Sequence, residues 1–456
     1  MPSITSQVGQ LDVQGLVSQL MTVERQPLDA LKKKTSTYQS QLSDLGKLKS
    51  DLSALQSSMR ELASGTFLNA AKFTSSSTEV LTGTTNNFAL AGVYNIEVTQ
   101  IAKGQNVAFA NMGARDAKLG NAADELVFTF QDGTSPAKIA IKADSSLQDI
   151  AAAVNGAGAG INATIVNSGD PANPSKLVFT STKTGNGKAF TTTLTNDDAK
   201  LQFMKFDPSV ANDPRMTSKA QDAIVKVNGV EMHNATNTLT EGITGVTLNI
   251  SKTGTSNVTV ARDDEAIQKK LQDFVDAYNK VRSTAESLRK GSMRGNAAML
   301  SVKEALSGVL SAPIGGVDPT KGLAYLAQIG ITSNGTTKQA DGSTQLDGSL
   351  KFDAKIFKEA LDKDVGAVAR VLGNTAGDGV ADRLNKRVNE LLNPDGVLET
   401  ATSSVTRRSQ DDKIKQDRLE ARMAIIEKRY LTQFSSLNTA LTRIAKTSDY
   451  LSRTLR

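Results

Sequence analysis

Leu48, Leu52, Leu55, Met59 and Leu62 recur at spacings of 4, 3, 4 and 3 residues. That rhythm lays one apolar seam along a helix and closes it against another. Tyr38, Leu42 and Leu45 carry the seam upstream, with one short step between Leu45 and Leu48 that reads as a stammer, a local overwinding of the supercoil. At the other end, Leu419, Met423, Ile426, Tyr430, Phe434, Leu437, Leu441 and Ile444 follow at 4, 3, 4, 4, 3, 4 and 3, and Leu451 and Leu455 extend the stripe. A chain with such a seam at each end must pair the two or supply each with a partner. One helix alone buries too little apolar surface to offset the entropy of ordering it. Both ends are therefore expected to fray until something packs alongside them.

A shorter amphipathic segment, Leu11, Leu16, Val17, Leu20 and Val23, breaks before Pro27. Ile267, Leu271, Phe274, Tyr278, Val281 and Leu288 form a third stripe, read as an ordinary bundle helix. Asp263 and Asp264 precede it, where acidic groups favour the positive end of the helix dipole.

Between these helical ends the period changes to two. The polar run Thr74–Thr78 marks the junction. Beyond it Tyr94, Ile96 and Val98 alternate with polar residues, as do Leu126, Phe128 and Phe130, and Ile139 with Ile141. Ser145-Ser146-Leu147-Gln148 reads as a capping box opening a short helix through Ile150, Ala151 and Val154, which Gly156–Gly160 ends. Further strands are expected at Ile161–Ile165, Lys176–Thr180, Ala223–Val227, Val246–Ile250 and Val258–Val260, with Val227-Asn228-Gly229-Val230 a tight turn. Pro208 and Pro214 flank a return linker. Helix, then strands, then helix describes a β-rich excursion inserted into a helical frame. In the remainder, Ile329–Ile331 and Leu346–Phe352 flank a hairpin tip at Asn334-Gly335. Asp353 should cap a helix through Ile356, Phe357 and Leu361, and Val380, Leu384, Val388 and Leu391 make another, stopped by Pro394.

Chemistry is scarce. The 456 residues, enough for roughly three domains, include no Cys and one His, His233. Thiol nucleophiles, disulfides and cysteine zinc sites are thereby excluded, and His233, beside a turn, reads as a surface hydrogen-bonder. Gly156–Gly160 follows a helix and opens a strand, the reverse of a dinucleotide loop. Gly185-Asn186-Gly187-Lys188 lacks the first glycine and the final hydroxyl of a phosphate loop, with Thr182 and Ala189 in those places, and reads as a hairpin turn. Asp341–Gly348 has too few acidic positions for a calcium loop. No cofactor, no metal and no catalytic residue is expected.

A net charge of +6, with aromatics at 4% and no Trp, argues against nucleic acid as a partner. Residues 401–456 hold twelve Lys+Arg against six Asp+Glu, so the whole net charge resides there. Those cations either complement the helix dipole and keep a sticky stripe soluble, or face an acidic partner. No apolar run approaches the ~20 residues of a membrane span. Met1–Leu20 shows no signal-peptide pattern, so any export is expected to use a route that reads no cleavable signal.

Three stretches together resemble the bacterial flagellar hook-associated protein 2 family, the filament-capping FliD family. Gly15-Leu16-Val17-Ser18-Gln19-Leu20-Met21, with Glu24 and Gln26-Pro27-Leu28, is similar to the family's N-terminal signature. Ser146–Asn155 with Leu177–Ser181 resembles the insertion motif shared by flagellins and their caps. Tyr430–Asn438 and Ser448–Leu451 resemble the C-terminal signature, although Asn438 stands where an acidic residue is usual, and Val227-Asn228-Gly229 to Gly245–Leu248 also fits. The insertion motif alone is weak; the two ends make the resemblance specific.

The resemblance implies a secreted, homo-oligomeric, pentamer-like ring at the distal tip of the flagellar filament, beneath which exported flagellin folds and polymerises. It implies type III export, a cytoplasmic export chaperone shielding the C-terminal helix, and no enzymatic activity. An adhesin binding host mucin or glycans through its β domains is the alternative, and another filament-junction protein a close rival. The fold class expected is α+β multidomain. Residues 1–42 form an N-terminal leg and 401–456 a C-terminal coiled-coil leg. Residues 43–73 and 263–400 form a helical, bundle-like frame with a hairpin. A β-rich domain at 74–110 and 215–262 is inserted into the frame, and a second insert, 111–214, carries the insertion motif. The assembly residues expected are Leu42, Leu45, Leu48, Leu52, Leu55, Met59 and Leu62 with Leu419, Met423, Ile426, Tyr430, Phe434, Leu437, Leu441, Ile444, Leu451 and Leu455.

Overall fold

The computed structural model describes residues 12–310, 312–318, 320, 322–338, 344–346, 348–373 and 377–454. Its helices are α1 (Val13–Glu24), α2 (Gln26–Ser64), α3 (Leu147–Gly156), α4 (Asp264–Lys290), α5 (Ala297–Leu310), α6 (Ala354–Lys363), α7 (Val365–Leu372), α8 (Val380–Leu392) and α9 (Val397–Thr454). The chain is an α+β multidomain protein that divides into two units, one of residues 69–266 and one of those on either side.

The flanking unit is helical and is built on α2. Leu45, Leu48, Leu52, Leu55, Met59 and Leu62 are buried, as are Leu271, Phe274 and Tyr278 of α4, Leu384 and Val388 of α8, and Leu398, Ala401 and Val405 of α9. Polar contacts fix how these helices sit around α2. Lys49 pairs with Glu399 of α9 at 2.6 Å, Thr284 of α4 donates to Asp51 at 2.7 Å, and Gln56 bonds Asn389 of α8. Gly65 ends α2, because its left-handed φ of 66° returns its N–H to the Leu62 carbonyl and costs a residue without a Cβ nothing. The helix thus stops well before the polar run Thr74–Thr78, and Ala71–Ser75 is already strand; a capping glycine, and not the serines, marks the boundary.

The antiparallel hairpin pairs Ile331–Ser333 with Leu350–Phe352, and Asn279 of α4 clamps it through both its amide groups to Leu350. Pairing resumes between Thr336–Lys338 and Thr344–Leu346. Asn334-Gly335 is therefore a break inside the arm and not its tip; of the Asp341–Gly348 stretch, 341–343 and 347 lie outside the described residues. Asp353 caps α6 as expected, accepting from the N–H of Lys355 and Ile356.

The middle unit contains two β cores. In the first, a five-stranded antiparallel sheet runs Ala71–Ser75, Gly254–Arg262, Gly92–Gln100, Ala223–Val227, Val230–Asn234. A three-stranded sheet of Thr238–Ile243, Val246–Ile250 and Leu81–Thr85 shares its core, with Ile96, Val98, Val225, Leu248 and Val258 inside. The Asn228-Gly229 turn carries positive φ at both positions, 48° and 85°, as a two-residue hairpin of the type I′ kind demands.

The second core joins a four-stranded sheet (Met216–Ser218, Asn106–Met112, Ser175–Ser181, Ile161–Asn167), a three-stranded sheet (Ala137–Ile141, Asp124–Phe130, Phe190–Leu194) and α3. Much of the chain's sparse aromatic content is spent here: Phe109, Phe128, Phe179 and Phe190 meet edge-on at 5.0–5.7 Å between ring centres. The capping box is real but displaced by one residue. Ser146 accepts from the Asp149 N–H, and Asp149 returns the bond to the Ser146 N–H, so Ser145 and Gln148 are not the pair. The Asn186–Lys188 segment is a 3-10 turn linking Ser175–Ser181 to Phe190–Leu194, strands of different sheets, and so is not a hairpin turn.

Candidate assembly surface on the terminal helices

α1, the start of α2 and the middle of α9 build one small apolar cluster from opposite ends of the sequence. Val17, Met21 and Leu28 are buried against Met423 and Ile426, with Leu419, Tyr430 and Phe434 packed half-buried around them. Arg25 caps the junction of α1 and α2 and reaches Glu427 at 3.1 Å, and Lys32 reaches Glu420 at 3.2 Å. The Lys32 ammonium holds the Glu420 carboxyl below its ordinary range, and the Lys49 ammonium does the same for Glu399. These ion pairs are partly exposed, so each contributes little to stability.

The expected assembly residues fall into three groups. Leu45, Leu48, Leu52, Leu55, Met59 and Leu62 lie inside the chain's own helical core, with Leu42 half-buried at its edge. Leu419, Met423, Ile426, Tyr430 and Phe434 pair with α1 and α2. Leu437, Leu441, Ile444 and Leu451 are solvent-exposed, by 47, 41, 65 and 50%. Leu455 lies outside the described residues. Of the N-terminal residues the sequence emphasised, Val17 joins the apolar cluster, Leu20 and Val23 are exposed and Leu11 lies outside the described residues, whereas Met21 and Leu28, which the stripe passed over, are buried. Leu28 lies on α2, past the break at Arg25, so a stripe drawn along α1 alone does not reach it.

Among the described residues no group of three or more His, Cys, Asp or Glu side chains could hold a metal ion, and no helix is long and apolar enough to cross a membrane. His233 is exposed, its ring 3.2 Å from Glu231 on the same strand.

Comparison with known proteins bears on the same elements. The pattern described as flagellar hook-associated protein 2 N-terminus matches residues 9–105, that of its C-terminus matches 220–446, and the flagellin hook IN motif matches 125–183. Flagellar hook-associated protein 2 of Escherichia coli (strain K12) is 30% identical over 469 residues, covering 97% of this chain and 96% of its own. This chain belongs to the flagellar hook-associated protein 2 family. The B-type flagellar hook-associated protein 2 of Pseudomonas aeruginosa is 27% identical over 475 residues, covering 96% and 94%. The crystal structure of the flagellar cap protein FliD D1-D2-D3 domains from Escherichia coli superposes with a TM-score of 0.66 at 29% identity, covering 80% of this chain and 99% of that one. The flagellin hook IN match falls on the second β core and includes α3 whole, so the hook-associated protein 2 family carries that motif here as a packed structural module.

Proposed function

We propose that this chain is secreted and caps the distal end of a flagellar filament as a homo-oligomeric, pentamer-like ring, beneath which exported flagellin folds and joins the polymer. The observation that carries this reading is the state of α9 past Phe434. Its partner α1 begins at Val13, and the stripe of Leu437, Leu441, Ile444 and Leu451 continues without cover from any described residue. A regular apolar face of that length is unfavourable in water and suits a helix that docks on other helices. The cap role carried by the solved Escherichia coli relative supports the same reading.

In this proposal the legs dock on the filament end, a cytoplasmic export chaperone covers the α9 stripe beforehand, and no covalent chemistry occurs. Electron micrographs of isolated filaments labelled on this chain test it. Label confined to the distal tip is expected; label along the shaft or at the hook junction contradicts it.

A further inference from the structure

The seam of α9 is interrupted. Leu398, Ala401 and Val405 are buried on one side and Met423 and Ile426 on the other, but the buried positions between them are Asp412 and Gln416. Asp412 is 5% exposed. One of its carboxylate oxygens takes the Lys415 ammonium at 2.9 Å, from the same helix, while Oδ2 is buried without a hydrogen-bond partner. Counting antiparallel from the Lys32–Glu420 and Lys49–Glu399 ion pairs places Asp412 opposite residues 36–40 of α2, where the seam residue is Tyr38.

Heptad seams are nearly self-similar, so apolar layers alone discriminate poorly between registers one heptad apart. A buried carboxylate does discriminate. Sliding α9 by seven residues in one direction would move Asp412 from the half-buried Tyr38 layer to that of Leu45, which is fully buried. Burying an acid against an apolar layer is far costlier than burying a leucine there.

We propose that Asp412, supported by Gln416, is the register key of the α2–α9 helix pair, a positioning residue that trades stability for a single alignment of the two chain ends. This goes beyond the capping role and holds whatever the helices dock on.

The chain has no native cysteine, so introduced thiols report register cleanly in the full-length protein. Arg25→Cys with Glu427→Cys marks the observed alignment. Lys32→Cys with Glu427→Cys marks one displaced by a heptad, about 10 Å along the helix. With Asp412 present, a short bismaleimide should cross-link the first pair within monomers at least about tenfold more than the second. In Asp412→Leu the preference should fall to about twofold or less, while the isosteric Asp412→Asn keeps most of it. Asp412→Ala in the same assay replaces the leucine variant if that one does not fold. An unchanged tenfold preference in the apolar variants overturns the proposal, as does equal cross-linking of both pairs with Asp412 intact.

Discussion

The Tyr430 hydroxyl donates to the Glu24 carboxylate at 3.0 Å, a bond between residues 406 positions apart that ties the two ends of the chain to one another. Around it the cluster of Val17, Met21, Leu28, Met423 and Ile426 is small, so each member counts. Tyr430→Phe, which keeps the ring and loses the bond, should cost the helix pair about 1 kcal/mol. Met423→Ala should cost more, about 2 kcal/mol or above. Hydrogen exchange at α1 amides checks both: faster exchange in the order wild type, Tyr430→Phe, Met423→Ala is expected.

The core of the helical unit should behave differently from its extremities. Leu52 is fully buried on α2, so Leu52→Ala leaves a cavity and should destabilise that unit by about 2–5 kcal/mol. Urea unfolding followed by circular dichroism at 222 nm measures it. A loss confined to a few tenths would mean that α2 is not the centre of this core.

Which parts of this architecture were legible in the sequence follows from how local their causes are. The helices, the strand pairs and the Asn228-Gly229 turn rest on periodicity and turn chemistry that a few neighbouring residues carry. Leu81–Thr85 and Val230–Asn234 are hard to read as strands because the first has three threonines and a glycine and the second mixes Glu, His and Asn with its apolar positions. Edge strands tolerate such sequences, since one side of the ladder meets solvent. The division of labour along the α9 stripe was hidden for another reason. Ile426 and Ile444 occupy equivalent positions of one apolar pattern, yet Ile426 packs with α1 and α2 while Ile444 is exposed, a difference set by residues far away in the sequence. Asp412 is not conspicuous in the sequence, because nothing local distinguishes a seam aspartate from a solvated one.

Helix α3 opens on a reciprocal cap, with the Ser146 hydroxyl accepting from the Asp149 N–H at 3.2 Å. Ser146→Ala should lower the stability of the second β core by about 1 kcal/mol, read from its denaturant midpoint. The Lys118 ammonium and the Ser146 donors hold the Asp149 carboxyl well below the usual carboxylate range, so this cap should persist into mild acid.

Glu286 supplies a pH dependence whose sign is fixed. Two hydrogen bonds from the Arg289 guanidinium, at 2.7 and 2.8 Å, outweigh partial burial and hold its carboxyl at about 2, below the ordinary value of 4.5. A folded-state value below the unfolded one means that Glu286 stabilises the protein above pH 4.5, a contribution lost as pH falls toward 2. Glu286→Gln should therefore be less stable than wild type at pH 7, and the gap should close at pH 2–3. A gap that stays constant across that range would contradict the assignment.

The proposed capping role rests most heavily on the α9 stripe being a docking face, exposed at Leu437, Leu441, Ile444 and Leu451 among the described residues. Replacing Leu437 and Leu441 by Asp in one full-length chain, expressed in place of the wild type, separates docking from folding. Unchanged thermal unfolding together with monomeric flagellin released into the medium and shortened or absent filaments is the result expected. Motile cells with full-length filaments would contradict it.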